Sequence, residues 1–268
     1  MKRLPRQWIG ALLLAWVPAC GDSDPGVGGA GGGGDGGGGA TSAGGDGGAG
    51  VESCGPAPLV NVTTRLTDWS TGLPVVGAKL TTDLCPDVEL ETDASGQAMG
   101  RLSANSPYVV GVQAAGFIPI LTSEEVVVAD FDGGGQLYST DLLPLLPHWS
   151  DSSPTILALM FTDASAGAGC SDPSGWVFGV ASHPEAVVTY YRGGAIPQPD
   201  PTLTATGPAG VAEISGLAAT APGEWIELSA TKAGCEASFV SYPHTGRHRL
   251  VNGVLTVAAA FAPPHPTP

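Results

Sequence analysis

Basic residues are scarce in this chain: ten Lys and Arg stand against 25 Asp and Glu in 268 residues, for a formal net charge of −15. A surface of that sign repels phosphate backbones and anionic lipid, which excludes nucleic acid as a partner. Long apolar runs are missing too. The uncharged stretch from Trp8 to Pro18 has the length of a signal core and falls well short of the ~20 residues of a spanning helix. After Cys54 no segment shows helical periodicity, so the folded part reads as all-β. No C-x-x-C spacing, no G-x-S-x-G and no H-E-x-x-H occurs. Those absences remove the usual signs of a zinc or redox cysteine site, a serine-hydrolase elbow and a zinc-peptidase helix. No catalytic residue, metal ligand or cofactor is assigned.

What is present starts with Lys2, Arg3 and Arg6 ahead of the signal core, which closes on Val17-Pro18-Ala19-Cys20. This run resembles the lipobox of bacterial lipoproteins, a branched apolar residue, a small one, Gly or Ala, then the Cys that is acylated. Pro18 departs from the pattern. The resemblance implies that residues 1–19 are a cleaved signal peptide and that Cys20 carries palmitate-type acyl chains; several are needed for stable anchoring, because one chain holds only marginally. Arg3 and Arg6 are not adjacent, which favours the ordinary secretory route over a twin-arginine signal. Gly21 stands where an Asp would retain a lipoprotein at the inner membrane, so the expected address is the outer membrane of the cell envelope. The alternative is a plain secretory signal with Cys20 unmodified.

Residues 20–53 follow as the lipidated Cys and a Gly-rich linker, with 17 Gly among residues 21–50. Such chain behaves as a flexible coil with a reach on the order of 30 Å. It lacks the flanking strand and helix of a phosphate-binding loop. Loss of residues 1–19 removes three basic residues and no acidic ones, leaving the mature chain at −18. With Cys20 given to lipid, Cys54, Cys85, Cys170 and Cys235 remain, an even set for an oxidising compartment. Three pairings are open. The local one, Cys54–Cys85 with Cys170–Cys235, keeps each bridge inside one candidate module and is the one expected.

Between Cys54 and residue 146 short strands alternate with turns. Leu59 to Leu66 alternates apolar and polar, Val75 to Thr82 follows a turn, and Val88 to Thr92 and Gln97 to Leu102 flank the turn Asp93-Ala94-Ser95-Gly96. Tyr108 to Ala114, Ile118 to Thr122, Val126 to Ala129 and Gln136 to Leu142 bring the count to about seven, the pattern of a β-sandwich. The order Leu73-Pro74-Val75-Val76-Gly77-Ala78, Thr92-Asp93-Ala94-Ser95-Gly96, Tyr108-Val109-Val110 and Gly116-Phe117 is similar to the carboxypeptidase regulatory-like domain. That resemblance implies a seven-stranded prealbumin-like sandwich over residues 55–145 and, since the family serves as accessory modules, no peptidase activity. Phe117 stands where Tyr is usual, and Ala98-Met99 where Phe often follows the turn.

Pro144, Pro147 and Pro154 frame a junction to a second unit, residues 154–264, with strands expected at 155–161, 176–180, 186–191, 202–206, 211–217, 225–231, 237–242 and 250–261. Thr206-Gly207-Pro208-Ala209-Gly210-Val211-Ala212 repeats residues 92–98 at an offset of 114, and Ala233-Gly234-Cys235 repeats residues 115–117 at 118. The sequence therefore reads as two tandem seven-to-eight-stranded sandwiches, 54–146 and 154–264, each expected to fold alone. One large sandwich spanning both halves is the alternative.

His244 and His248 share a helix-like spacing, but Pro243 and Gly246 argue for a solvated loop together with Arg247 and Arg249. His148, His183 and His265 sit beside prolines and read as loop residues. Asp130-Phe131-Asp132-Gly133-Gly134-Gly135, with Asp141 beyond, lacks the third oxygen ligand and the closing Glu of a calcium loop and reads as a glycine turn between strands. Asn61-Val62-Thr63 matches a glycosylation acceptor but lies in an expected strand. Trp176, Tyr190, Tyr191, Trp225 and Tyr242 belong to the core or to a sugar-stacking face. The functional expectation is a non-enzymatic envelope lipoprotein held to the membrane by its lipid anchor and interacting with envelope proteins or glycans. A carbohydrate-binding module and an envelope hydrolase or its accessory protein are the alternatives.

Overall fold

A computed structural model describes residues 53–194 and 196–264; the signal segment, Cys20, the Gly-rich tract and His265 lie outside the described residues. The protein is nearly all β. The first half contains β1 (Ser53–Cys54), β2 (Leu59–Asp68), β3 (Lys79–Thr82), β4 (Glu89–Glu91), β5 (Gln97–Ser103), β6 (Pro107–Tyr108), β7 (Val110–Gln113), β8 (Ile120–Leu121), β9 (Glu125–Val126) and β10 (Phe131–Leu137). The second contains β11 (Thr155–Thr162), β12 (Val177–Val180), β13 (Val187–Arg192), β14 (Gln198–Pro199), β15 (Val211–Ser215), β16 (Ile226–Thr231), β17 (Val240–Ser241), β18 (His244–Thr245), β19 (Arg247–His248) and β20 (Leu255–Ala262). Short 3₁₀ turns occupy Thr140–Leu145 and Ala164–Ala166.

Asp-x-Ser/Thr sequences close many of the turns. In Asp68, Asp93, Asp163, Asp172 and Asp200 the carboxylate accepts the N–H two residues on at 2.6–2.9 Å. Five of the chain's 25 acidic residues are thereby spent on backbone donors in turns.

The sequence repeat is a repeat of geometry. Buried Thr92 donates its hydroxyl to the Val75 carbonyl at 2.7 Å and accepts the Ala78 N–H at 2.8 Å. Buried Thr206 does the same with the Pro173 carbonyl at 2.6 Å and the Trp176 N–H at 2.9 Å. The turn that follows passes through a left-handed glycine in both halves, Gly96 at φ +75° and Gly210 at φ +64°. A Cβ on Gly96 would come within 2.5 Å of the Leu66 carbonyl, and one on Gly210 within 2.8 Å of the Met160 carbonyl, so only glycine fits either place. Leu66 and Met160, in turn, donate their N–H to Gly96 and Gly210. The antiparallel pair β2–β5 with its parallel neighbour β10 thus corresponds to β11–β15 with β20. The pair β3–β7 corresponds to β12–β16.

Several strands fall elsewhere than the sequence suggests. Gly133, Gly134 and Gly135 are not a turn: they lie inside β10, in parallel register with Thr64, Arg65 and Leu66 of β2. Glycine suits this close approach, since a Cβ on Gly134 would sit 3.0 Å from the Arg65 carbonyl. Residues 202–206 form no strand, because Thr206 spends its bonds on the 173–176 turn and Thr202 caps the Asp200 turn. Residues 140–142 belong to a 3₁₀ turn whose start is capped by Ser139.

The halves are joined through their sheets. One nine-stranded sheet runs β14-β13-β15-β11-β20-β8-β7-β3-β4, and a four-stranded one runs β17-β18-β9-β6; each draws strands from both halves. The join in the larger sheet is β20, parallel to β11 over its whole length and parallel to β8 at Leu255 and Thr256. On one face of β11 and β20 lies a second-half core of Ile156, Ala158, Trp176, Ile214 and Ala260. On the other face Leu157 and Leu255 complete a first-half core with Leu66, Leu80, Ala98 and Ile120. The two halves are therefore similar sandwiches that share a sheet and part of a core.

Cys54 is bonded to Cys85 and Cys170 to Cys235, across 31 and 65 residues. Each bridge stays in one half, where loop-closure entropy assigns it roughly 3.5–4.5 kcal/mol.

Two outcomes follow from the shared core. Urea unfolding of the disulfide-intact chain should give coincident transitions by tryptophan fluorescence and far-ultraviolet circular dichroism, and Leu255→Ala should lower stability by about 3–5 kcal/mol. Two separated transitions, only one of them moved by the substitution, would show the halves to be energetically independent.

Candidate functional site

Residues 244–249 do not form a solvated loop. The chain turns at Gly246, φ +79°, where a Cβ would come within 2.9 Å of Val240 Cγ2, and the flanking pairs become β18 and β19. Strand β18 pairs with β17 and with β9 of the first half, and β19 pairs with β16, so both histidines are drawn inward. His248 is fully buried, its ring edge-on to Phe239 at 5.8 Å. Burial pushes the His248 imidazole down to about 3 and that of His244 down to about 4, so both are neutral at pH 7.

Across from them sit two adjacent glutamates, each 1% exposed. Glu124 is fully engaged: Arg247 grips it through two nitrogens, Thr245 donates its hydroxyl at 2.7 Å, and the Arg247 guanidinium stacks over Trp225 at 5.0 Å. Arg249 extends this layer with an ion pair to Asp83 at 3.0 Å. Glu125 has no such cation. Its Oε1 lies 3.8 Å from His244 Nδ1, and burial pushes its carboxyl up to about 7 against the opposing influence of the Tyr108 and Thr122 hydroxyls. The Tyr108 hydroxyl is 1% exposed and faces Glu125, yet neither it nor Glu125 Oε1 completes a hydrogen bond of normal geometry among the described residues.

A second buried polar group pins the junction. Glu213, fully buried on β15, accepts the His148 N–H at 3.1 Å, while Tyr191 donates its hydroxyl to the Leu145 carbonyl. Desolvation raises the Glu213 carboxyl, and the His148 N–H and ring pull it back. The proline-framed segment is thus clamped onto the second half.

Glu125, Tyr108 and His244 line a cleft of about 1320 Å³ between the β1-β5-β2-β10 sheet and the nine-stranded sheet. Its walls are the inward residues Leu66, Ala98, Gly100, Val112 and Ile120 of the first half, continued by Leu157, Leu159, Val257 and Phe261 along the face of β11 and β20. Walls this apolar favour hydrocarbon over water as filling.

Other residues singled out in the sequence lie apart. Trp176, Tyr190 and Tyr191 are buried, Tyr242 stacks edge-on against Phe131, and Trp225 carries the arginines, so these rings form no common sugar-stacking face. Asp130 accepts two bonds from Asn61, and Asp141 lies in the 3₁₀ turn. Among the described residues no group of three or more His, Cys, Asp or Glu converges on a metal-sized site, and no helix is long and apolar enough to cross a membrane. Glu124, Glu125 and Glu213 escaped the sequence reading; the only signal was a pair of adjacent acids in an otherwise apolar stretch.

No family model and no curated protein matches the chain. Among solved structures it is similar to the TIE protein of Bacillus anthracis, with 12% identity and a TM-score of 0.25 over 75% of this chain and 33% of that one. It is similar also to a streptococcal ancillary pilin, 14% identical with a TM-score of 0.23 over 76% of this chain and 62% of that one. The minor pilin of Streptococcus agalactiae is 13% identical with a TM-score of 0.21, over 78% of this chain and 98% of that one. The chain thus spans a third of the first protein and under two thirds of the second.

Two outcomes test the electrostatics. Glu125 titrates near 7 folded against an ordinary 4.5, so the folded state holds the extra proton and the stability this confers is lost as pH rises through that window. The stability of the wild type relative to Glu125→Gln should therefore fall by about 1.4 kcal/mol per pH unit between 4.5 and 7 and level off above, measured by urea unfolding at each pH. Arg247→Met strands the Glu124 carboxylate and should cost about 2–3 kcal/mol, less than a fully buried pair because the guanidinium is partly exposed.

Proposed function

We propose that the chain is an exported, lipid-anchored protein of the cell envelope, a stapled double β-sandwich presented on a flexible tether for a structural or interaction role rather than catalysis. The observation that supports this most directly is the combination of two intra-half disulfides with a sheet that runs through both halves, a rigid block suited to an oxidising compartment. In this reading residues 54–146 are a carboxypeptidase regulatory-like sandwich, residues 154–264 its divergent copy, and the acylated Cys20 holds both at the outer membrane. Envelope proteins are favoured over glycans as partners, because the aromatic side chains that would stack on sugars are committed to the core and the seam.

The anchor is tested on Cys20. In the native host the wild-type protein should partition into detergent with the envelope fraction, and mass spectrometry of its mature N-terminus should find acyl groups on Cys20. Cys20→Ser should leave the membrane fraction. A mature wild-type N-terminus without acyl groups would overturn the anchor while leaving the double sandwich untouched.

A further inference from the structure

The two sandwiches share a scaffold but not a filling. The Val62–Gly100 pair of β2 and β5 occupies the place that Ile156–Ile214 fills in β11 and β15. Ala78, whose N–H bonds to Thr92, stands where Trp176 bonds to Thr206. Trp176 and Ile214 are completely buried in the second core. In the first half an Ile side chain and an indole are thus reduced to a hydrogen atom and a methyl group, and Gly135 of β10 stands beside Leu66 where Ala260 of β20 stands beside Met160. Such deletions on a retained frame leave the cleft open between the sheets. They would be of little weight alone; the second observation is Tyr108, a residue 1% exposed that lines the cleft, whose hydroxyl faces Glu125 without completing a hydrogen bond of normal geometry among the described residues.

We propose that this cleft binds one long aliphatic chain bearing an uncharged polar end, such as a hydroxyl, with that end against Tyr108 and Glu125. Length fits the assignment. From Leu255 to Phe261 the wall along β20 runs on the order of 20 Å at ~3.3 Å per residue, room for an extended chain of roughly a dozen or more methylenes. Charge fits as well: the Glu125 carboxyl in the cleft wall and the chain's net negative charge disfavour a carboxylate or phosphate head, whereas a hydroxyl can donate to Glu125 and accept from Tyr108. Such a ligand would use the few polar groups for orientation and the apolar walls for affinity, the usual division in small-molecule sites. The proposal does not depend on the lipid anchor.

The test uses the soluble Cys20→Ser chain, with disulfides intact, and Nile red as a neutral reporter. Saturable binding of one dye per chain is expected, displaced by dodecanol and at least about tenfold less well by dodecanoate at pH 8. Gly100→Ile, which restores the filling of the second half, should weaken dye binding at least about tenfold while raising the melting temperature. Tyr108→Phe should keep dye affinity and lose about tenfold for dodecanol, because a hydrogen bond to the ligand is removed without changing the walls. If Gly100→Ile fails to fold, Ala259→Phe narrows the outer part of the same cleft and should weaken dye binding likewise. Absence of saturable binding, or binding unchanged in the folded filling variants, would overturn the assignment.

Discussion

The structure depends on one strand being paired on both sides by distant partners. Strand β20 lies parallel to β11 on one edge, and its first two residues lie parallel to β8 on the other. Leu255, at that point, is fully buried and also donates its N–H to the Pro119 carbonyl at 2.9 Å. Every one of these contacts is non-local, so none can form until the chain has been brought together over a hundred residues or more, a costly closure that the buried area must offset. Once β20 is in place, the outer face of the second sandwich becomes an inner wall of the first.

Buried charge fixes how the halves meet. The Glu124–Arg247 pair is bidentate, backed by the Trp225 ring, and flanked by backbone bonds from Glu124 N–H to the Arg247 carbonyl and from Thr245 N–H to the Glu124 carbonyl, each at 2.9 Å. Such a pair contributes little net stability compared with apolar residues of the same size, but a shift of register would leave the buried Glu124 carboxylate without its partner. The pair acts chiefly against wrong alignments. Beside Glu125 the His244 imidazole is kept neutral at pH 7 by burial, as is that of His248, while burial raises the Glu125 carboxyl to about 7, where it is about half ionised.

Unequal filling of a shared backbone frame accounts for the difference between the halves. The threonine latch, the left-handed glycine and the strand pairings are retained in both, because each is a backbone requirement with few chemical solutions. Core side chains are less constrained, and Trp176 and Ile214 have as counterparts Ala78 and Gly100. The 114-residue offset that pairs Thr92 with Thr206 also pairs Gly100 with Ile214, so this part of the cleft was written in the sequence. The Ala78–Trp176 correspondence was not, since the connection between latch and strand differs in length.

Local chemistry determined what could be read without a fold. Period-two alternation marked β2 and β5, Asp-x-Ser/Thr and Gly marked the turns, and the recurrence of Thr and Gly at one offset marked the tandem copy, because each of these depends on neighbours along the chain. Tertiary structure alone decided the rest. Gly133 to Gly135 looked like a turn and became a strand because β2 lies alongside to pair with it. His244 and His248 looked solvated beside Pro243 and Gly246, but His244 is half-buried and His248 fully buried because β9 and β16 flank their strands. The fusion of two sandwiches through β20, and the cleft it walls, come from pairing between residues more than a hundred positions apart, and no local pattern carries that information.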